Sequence, residues 1–497
     1  MRQRFIKGAS HPLCFGTNTA KQGALLFFVN ILHKYGEFCV SLHLTSKHSV
    51  HMTTLISNAT IVNEGEQYVG SLLIEDDRIA AILRGREPHD IVADHTIDAT
   101  GQYLLPGAID DHVHFRDPGL THKADMRSES RAAARGGITS VMDMPNCNPQ
   151  TTTLEALEAK FAEAQERCLV NHSFYLGATT DNIREIRRMD PRTVCGVKLF
   201  MGSSTGGMLV DQEERVEAIF REAPTLIALH CEDQAVISAN TAKYREETHS
   251  DDPDVRYHPL IRSEEACYRS TAKAVELAQR TGAHIHILHI TTARELELLE
   301  GGSLPGKHIT AEVCLPHLYY TDADYATYGT RIKCNPAVKT AADRDALRQA
   351  LRDGRIDVVG TDHAPHLPKE KEGGCLKAAS GIPTIQYVLP AMLELSDEGI
   401  VSLPEIVEKM AHNPAILYKV SRRGFIRPGY QADLVLVKPD APHTVSADKI
   451  VSKCGWSPFE GHTFRWDITH TWVNGRAVYR EGEFDEQQMG QRLTFER

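Results

Sequence analysis

The sequence predicts an α/β fold, in which a (β/α)8 TIM-type barrel is joined to a small composite β-sandwich domain built from both chain ends. Three observations predict it. Short apolar runs alternate with helical periodicity eight times across residues 104–423. Strand-like runs separated by turn signals fill residues 52–103 and return in residues 424–497. Histidines and charged residues follow the apolar runs of the central region, at the strand ends where a barrel places its reactive groups.

The first 51 residues differ in composition from the rest of the chain. They carry several lysines and arginines, Glu37 as their one acidic residue, and an apolar patch at 24–32. This patch is short for a membrane span. A strand-like run begins directly after Met52. We therefore predict that residues 1–51 form a poorly ordered N-terminal extension and that Met52 is the working start of the protein.

The predicted β-sandwich draws its strands from both sides of the barrel. The Asn474-Gly475 pair predicts a two-residue hairpin between the last two runs. Strand-rich segments at the two ends of a chain can pair, so we predict one small domain from residues 52–103 and 424–497. The runs are Thr60–Val62, Val69–Ile74, Arg78–Leu83, His95–Asp98, Asp433–Val437, His470–Gly475 and Arg476–Tyr479.

The predicted barrel occupies residues 104–423. Its predicted strands are Leu104–Val113, Thr139–Met144, His172–Leu176, Val194–Phe200, Leu226–His230, His284–His289, His308–Val313 and Asp357–Gly360. Its predicted helices include Thr153–Arg167, Asp211–Glu222, Glu264–Arg280, Ala293–Leu299 and Ala342–Leu351.

Composition excludes several classes of function. The chain has 497 residues, 41% of them hydrophobic and 24% charged, which is typical of a globular protein. Its net charge of -11 argues against a nucleic-acid partner, and no run of uncharged apolar residues is long enough for a membrane span. Its 11 cysteines are scattered without a CxxC motif, which favours a cytoplasmic location. Cys231, beside His230, is predicted to be a buried thiol rather than a metal ligand.

A candidate metal site begins at the end of the first predicted barrel strand. His112 and His114 lie two residues apart and so point to the same side of a strand, where two imidazoles can hold one metal ion. Taken alone, this pair fits a metal site and a pair of surface histidines equally well. Further candidates follow other strands: Lys198, His230, His289 and Asp362. Their joint occurrence at one barrel rim favours the metal site.

Residue parity separates the histidines of the sixth predicted strand. We predict that Ile285, Ile287 and His289 face the barrel interior, and that His284 and His286 point away from it.

Four histidines, an aspartate and a lysine suit two metal ions that share a bridging hydroxide. A cationic lysine is a poor ligand between two cations. Lys198 is therefore predicted to be either neutralised or, as the favoured alternative, carboxylated to a carbamate that bridges the metals. Asp362 is predicted to ligate one metal and to act as the catalytic base, taking the proton of the hydroxide and passing it to a leaving nitrogen. Such a site suits the hydrolysis of an amide or cyclic amide.

With these motifs the chain resembles the amidohydrolase superfamily and, within it, the dihydroorotases. The resemblance covers Met52 to the C-terminus and rests on the motifs 106–119 and 136–149, on Lys198, His230 and His289, and on the motifs 334–336 and 361–366. It implies two Zn²⁺ ions per subunit, N6-carboxylated Lys198, and the reversible hydrolysis of (S)-dihydroorotate to N-carbamoyl-L-aspartate in de novo pyrimidine biosynthesis. Barrel hydrolases of this kind often form dimers or tetramers, so a homo-oligomer is expected.

The substrate carboxylate requires a cationic site. Arg116 can bind a carboxylate bidentately, and Asn146 and His366 can add hydrogen bonds. In the family these three positions hold the carboxylate, while Asn335 and the backbone near Gly381 contact the ring.

Two alternatives remain open. A hydantoinase, dihydropyrimidinase or allantoinase would share the lysine-bridged metal site, but its uncharged substrate would leave Arg116 unpaired. A non-catalytic barrel scaffold would have lost metal ligands, and this sequence keeps the whole set.

Overall fold

A computed structural model describes residues 52–85, 91–202, 208–210 and 212–497, together with the backbone of two short strands in the N-terminal region. Those strands, Val29–Lys34 and Glu37–Leu42, pair antiparallel within one compact unit, and Met52–Arg497 is the other unit. The rest of 1–51 lies outside the described residues. The extension and the proposed start at Met52 therefore stay predictions.

The strands, in chain order, are β1 (Val29–Lys34), β2 (Glu37–Leu42), β3 (Thr53–Asn63), β4 (Glu66–Glu75), β5 (Arg78–Arg84), β6 (His95–Asp98), β7 (Tyr103–Pro106), β8 (Ala108–Val113), β9 (Ile138–Asp143), β10 (Asn171–Phe174), β11 (Leu176–Gly177), β12 (Val197–Met201), β13 (Ile227–Cys231), β14 (Ile285–Ile287), β15 (Ile309–Cys314), β16 (Val358–Gly360), β17 (Leu434–Lys438), β18 (His443–Thr444), β19 (Thr463–Phe464), β20 (Asp467–Val473), β21 (Arg476–Arg480) and β22 (Glu483–Phe484).

The helices are α1 (Met126–Arg135), α2 (Leu154–Arg167), α3 (Ile183–Arg188), α4 (Glu213–Glu222), α5 (Gln234–Thr248), α6 (His258–Ile261), α7 (Glu264–Thr281), α8 (Leu315–Tyr319), α9 (Tyr325–Tyr328), α10 (Ala341–Asp353), α11 (Val388–Asp397), α12 (Leu403–Val407) and α13 (Asn413–Tyr418). The predicted helix Ala293–Leu299 is one 3₁₀ turn, Glu295–Leu298. Within the described ranges, no helix has both the length and the apolar character needed to cross a membrane.

The strands of the central region pair in parallel at eight successive places in the sheet order, counting β10 and β11 as one. One sheet has the order β10-β9-β8 and a second has the order β11-β12-β13-β14-β15-β16, with β10 and β11 separated by Tyr175 alone. A parallel bridge between Val113 and His363 joins the first position to the segment after the eighth. This arrangement is consistent with a TIM-type barrel.

Helix α7 illustrates why the sequence forms the surrounding helices. Its N-cap Ser263 accepts a hydrogen bond from the Ala266 amide, and Gly282 ends it in the left-handed region with φ 75°. Its apolar side packs in one buried cluster with Ile285 and Ile287 of β14. Burial of this face against the strands holds the helix in place.

A second sheet combines strands from both ends of Met52–Arg497, with the order β22-β21-β20-β17-β7-β3-β4-β5 and β6 paired to β3. Ile56, Leu72, Leu434 and Trp472 pack in its buried apolar cluster. The hairpin predicted at Asn474-Gly475 is confirmed: it joins β20 to β21, and both residues have positive φ, 51° and 78°.

The predicted strand Leu104–Val113 is in fact two strands. Strand β7 pairs with β3 and β17, whereas β8 pairs with β9. The chain passes from one sheet to the other at Gly107, where a Cβ atom would lie 2.3 Å from the Thr139 side chain. The sequence pattern predicts a single strand here because both strands are buried on both faces and together form one apolar run.

The prediction for the sixth barrel strand was wrong for Ile285, His286 and Ile287, although His289 lines the cavity. His286 is fully buried, and its Nε2 lies 3.2 Å from Asp111 Oδ2 on β8, a strand that is not its neighbour in the sheet order. Such a contact passes through the barrel interior, so His286 faces inward and Ile285 and Ile287 face the helices. His289 reaches the same interior because β14 ends at Ile287 and His289 has φ 41°, which breaks the alternation.

Candidate active site

All but one of the predicted site residues meet at one cavity of about 210 Å³, at the carboxyl ends of the parallel strands. The predicted residues that line it are His112, His114, Arg116, Asn146, Lys198, His230, His289, Asn335, Asp362 and His366. Gly381 is not part of the lining, although Ala379 and Ser380 are. A larger cavity, of about 1100 Å³, lies along the composite sheet and contains none of these residues.

One cluster of possible metal ligands comes from β8 and the loop after β16. The Nε2 atoms of His112 and His114 lie 3.3 Å and 3.1 Å from Asp362 Oδ1. His112 Nδ1 lies 3.0 Å from Glu312 Oε1, and His114 Nδ1 lies 2.8 Å from Asn146 Oδ1. Each Nδ1 can thus donate its proton to an oxygen, which leaves the Nε2 lone pair directed at the shared space.

A second pair of histidines faces the same cavity. His230 Nδ1 lies 2.9 Å from His289 Nε2, and His230 Nε2 lies 2.9 Å from Glu232 Oε2. When His230 donates Nε2–H to Glu232, its Nδ1 presents a lone pair toward the His289 ring nitrogen. Two ring nitrogens this close, with a carboxylate behind one of them, fit a cation between them. His289 Nδ1 is a buried atom with no hydrogen-bond partner among the described residues.

Lys198 projects from β12 into the same cavity and is almost completely buried. Burial lowers the pKa of its amine to about 8, although Asp362 and Glu312 act in the opposite direction. A larger share of this lysine is therefore neutral near pH 7 than of an exposed one. The neutral amine is the nucleophilic form.

Asp362 stays ionised in this surrounding. Burial would raise the pKa of its carboxyl group, but His112, His114 and Lys198 outweigh burial and hold the pKa well below its usual range. Its backbone, like those of Arg116 and His289, lies in the left-handed region, with φ 44°, 66° and 41°. Three such residues that are not glycine, gathered around one cavity, are typical of a functional site.

Sequence reasoning missed the buried acidic residues behind the ligands. Glu312 Oε1 lies within hydrogen-bond distance of both His112 Nδ1 (3.0 Å) and the His289 amide (2.9 Å), so one carboxyl group orients two of the candidate ligands. Burial and the neighbouring Asp111 raise the pKa of Glu312 above its usual range. The signal was available, because Glu312 is the one charged residue of the predominantly buried strand β15. Glu232, paired with His230 and Arg262, was missed in the same way.

Arg116 lies at the edge of the cavity next to His366. Its Nε donates to Pro365 O (3.1 Å), and its Nη2 lies 3.2 Å from His366 Nε2. Within the described part of the chain, no carboxylate pairs with this nearly buried guanidinium. Burial lowers the pKa of His366 far below its usual range, and Arg116, Lys123 and Lys371 lower it further. This end of the cavity is therefore electropositive, because it places the charge of Arg116 beside a neutral imidazole.

Asn335 and Gly381 lie on the loops across from β8. Asn335 Oδ1 is 3.1 Å from His258 Nε2. The Gly381 amide donates to Lys333 O (2.9 Å), and its carbonyl accepts from Lys371 Nζ (2.9 Å). Both backbone groups of Gly381 are thus engaged within the protein, and its contact with a substrate ring stays a prediction.

Cys231 is buried, as predicted, and burial raises the pKa of its thiol to about 12. A thiol with that pKa stays protonated at neutral pH, and a protonated thiol is a poor metal ligand.

Acidification is expected to destabilise the metal-free protein between about pH 6.5 and pH 4. Burial lowers the pKa of His112, His114, His172 and His317 to about 4 from an ordinary 6.5. Below pH 6.5 these histidines take up protons in the unfolded chain, whereas in the folded protein they do so only near pH 4. The free energy of unfolding therefore decreases as the pH is lowered. Urea unfolding at pH 7, 6, 5 and 4 in the presence of a chelator measures this.

His172 provides the control, because it lies outside the cavity lining and packs against Phe161 and Phe174. In His172→Gln the slope against pH is expected to decrease by about 1.4 kcal/mol per pH unit, the equivalent of one proton. An unchanged slope would show that His172 is protonated in the folded protein.

Comparison with known proteins agrees with this geometry. Residues 103–478 match the model of the amidohydrolase family. A dihydroorotase of Halobacterium salinarum is 36% identical over 391 residues, which cover 77% of this chain and 88% of that protein. A dihydroorotase of Lactobacillus johnsonii is 32% identical over 435 residues, 87% of this chain and 100% of the relative.

Relatives with other substrates match to a similar degree. An allantoinase of Bacillus velezensis is 30% identical over 434 residues, covering 86% of this chain and 94% of the relative. The structure of an L-hydantoinase (dihydropyrimidinase) from Arthrobacter aurescens superposes with a TM-score of 0.84 at 29% identity, covering 89% of this chain and 99% of that one.

Proposed function

The chain belongs to the amidohydrolase family and is a metal-dependent hydrolase of cyclic amides, and from this premise we propose that it acts as a dihydroorotase. It would hydrolyse (S)-dihydroorotate reversibly to N-carbamoyl-L-aspartate, a step of de novo pyrimidine biosynthesis. The proposal includes two Zn²⁺ ions per subunit, N6-carboxylated Lys198, and the finer architecture of a (β/α)8 barrel with a composite β-sandwich. It also includes a homo-oligomer in the cytoplasm, a compartment that suits the free, buried cysteines among the described residues.

One observation carries the choice of substrate: the nearly buried Arg116 guanidinium, which faces the cavity without a carboxylate partner among the described residues. An unpaired buried charge is costly, and a substrate carboxylate would compensate it bidentately. Dihydroorotate carries such a carboxylate beside its cyclic ureide. Hydantoin, dihydrouracil and allantoin are uncharged and would leave the guanidinium unpaired.

The donor set fits two metal ions. His112, His114 and Asp362 converge on one point, and His230 and His289 direct ring nitrogens at a second. Lys198, as a carbamate, would supply an oxygen to each. The ions supply a water of lowered pKa and polarise the scissile carbonyl.

The protein's own groups supply the proton transfers. Asp362, ionised and lying within 3.3 Å of two candidate ligands, accepts the proton of the attacking water. The oxygen of that water adds to the ring carbonyl carbon, the carbon–nitrogen bond breaks, and Asp362 returns the proton to the leaving nitrogen. Arg116 and His366 hold the carboxylate so that the scissile amide lies over Asp362, with Asn146 beside His114.

Purified, zinc-loaded protein is expected to turn over L-dihydroorotate and to hydrolyse hydantoin, dihydrouracil and allantoin far more slowly. Turnover of an uncharged ring at an equal or greater rate would contradict the proposal and favour the allantoinase or hydantoinase alternative. Retention of metal with no hydrolysis of any of them would favour the non-catalytic scaffold.

Lys198→Ala is expected to remove the carbamate and, with it, most of the bound zinc and at least about 99% of the turnover, because loss of a bridging ligand weakens both metal positions. Protein reconstituted with zinc and ¹³C-bicarbonate should give a carbamate signal in the ¹³C spectrum that Lys198→Ala lacks. Lys409→Met alters another buried lysine, in the π-helical turn between α12 and α13, and serves as the control that should keep the signal. A signal that persists in Lys198→Ala would assign the carbamate to another lysine.

A further inference from the structure

Behind the electropositive end of the cavity, Lys123 contacts the face of His366 that points away from the cavity. Lys123 Nζ lies 3.2 Å from His366 Nδ1 and 2.9 Å from Glu370 Oε1. The lysine is nearly buried and does not line the cavity itself. It belongs to the turn that follows Arg116, where the Lys123 amide donates to Leu120 O.

The contacts of the imidazole determine which nitrogen carries its proton. An ammonium group has three donors and no acceptor, so Lys123 can bond to His366 Nδ1 only if that nitrogen has a lone pair. Nε2 then carries the proton and donates to Ser380 O at 3.1 Å. This tautomer satisfies two contacts. The opposite tautomer satisfies the contact between Arg116 Nη2 and Nε2, but it turns the Lys123 contact into two opposed donors. Its Nδ1–H would have Glu370 Oε2 at 3.6 Å, which is longer than a hydrogen bond.

The favoured tautomer leaves two donors side by side at the cavity. His366 Nε2 and Arg116 Nη2 lie 3.2 Å apart, and without a bound substrate the single Nε2–H donates to Ser380 O. One carboxylate oxygen placed beside them would accept from Arg116 and share the Nε2–H with Ser380 O. Without the proton on Nε2, the imidazole would present a lone pair to the carboxylate and repel it.

We propose that Lys123 is a positioning residue for substrate binding: it fixes the tautomer of His366 so that Nε2–H, together with Arg116, donates to the carboxylate of the substrate. The inference rests on the proposed dihydroorotase function. Glu370 contributes indirectly, because its Oε1 holds Lys123 and its Oε2 accepts from the Leu367 amide, one residue after His366.

The test compares Lys123→Met, which removes the donors but keeps the length of the side chain, with Lys453→Met. Lys453 contacts Thr121 O and Asp125 in the same turn and does not contact His366, so it is a matched control. In Lys123→Met the KM for L-dihydroorotate is expected to rise about tenfold while kcat changes little, and Lys453→Met should leave both unchanged. Zinc content and Tm, measured for each variant, verify folding.

A double-mutant cycle and a spectrum separate this role from a merely structural one. In a His366→Ala background, Lys123→Met should have no further effect on KM. In protein labelled with ¹⁵N-histidine, the His366 resonances, assigned by their loss in His366→Ala, should show the proton on Nε2 in the wild type and a mixture of tautomers in Lys123→Met.

The outcomes distinguish the two proposals. If the wild type does not turn over dihydroorotate, the proposed function fails, whatever Lys123 does. If the wild type turns it over and Lys123→Met leaves KM unchanged, the role of Lys123 is overturned and the proposed function stands. The role of Lys123 would also be overturned if Lys123→Met raised KM without changing the His366 tautomer, or if the effects of Lys123→Met and His366→Ala on KM were additive. In either case Lys123 would act through its charge and not through the tautomer.

Discussion

Asp362→Asn is expected to lower kcat for dihydroorotate by about 10²- to 10⁴-fold, the range typical of the loss of a general base. The asparagine keeps an oxygen where Oδ1 contacts the Nε2 atoms of His112 and His114, but it cannot take a proton. Steady-state kinetics at saturating substrate measure the loss. Because the carboxyl group binds no part of the substrate carboxylate, KM should change by less than about fivefold.

Zinc content, measured by mass spectrometry on the same samples, distinguishes a lost base from a lost ligand. We expect Asp362→Asn to retain both metal equivalents at millimolar zinc. Asp345→Asn, at an exposed aspartate paired with Arg344, is the matched control and should retain full activity. If Asp362→Asn recovers wild-type kcat on addition of zinc, Asp362 is a ligand only, and the base must lie elsewhere.

The metal-ligand candidates could be predicted from the sequence because each follows an apolar run. His112, Lys198 and His230 lie on or directly after buried parallel strands, and parallel strands bring their carboxyl ends to one rim. Parallel strands therefore overlap each of the eight predicted barrel strands, although the first prediction also includes β7 of the other sheet. The alternation of side chains between the two faces of a strand then predicts which residues face the barrel interior, as long as the strand continues.

Alternation failed where a strand ended early. Strand β14 has three residues, and His289 enters the cavity through a left-handed backbone conformation that no periodicity signals. The parity assigned to His286 was wrong for the same reason. Likewise, one apolar run from 104 to 113 belongs to two sheets, because packing around Gly107 rather than local pattern decides where the chain changes partner.

The contacts behind the candidate ligands could not be paired from the sequence, because they join distant parts of the chain. Lys123 and His366 are 243 residues apart, and His112 and Glu312 are 200 apart. Lys123 lies in a turn without periodicity, where a lysine is usually exposed. Only the folded arrangement shows that such residues contact the groups at the cavity.

Arg116→Gln is expected to change which ring the enzyme prefers. Removing one partner of a nearly buried, hydrogen-bonded charge pair costs about 2–5 kcal/mol, so kcat/KM for dihydroorotate should fall by about 30- to 4000-fold. For dihydrouracil, which has no carboxylate, the same substitution removes an unpaired buried charge, and kcat/KM should stay constant or rise. The ratio of the two kcat/KM values is the measurement.

Arg187→Gln is the matched control, because Arg187 is exposed and pairs with Glu222 away from the cavity. It should leave the ratio unchanged. A parallel fall for both substrates in Arg116→Gln would mean that Arg116 supports the fold through its bond to Pro365 O and does not select the substrate. A fall in kcat/KM confined to dihydroorotate would identify the Arg116 guanidinium as the group that selects a carboxylated cyclic ureide over an uncharged ring. The metal ligands cannot make that selection, because the hydantoinase and allantoinase relatives are expected to share them.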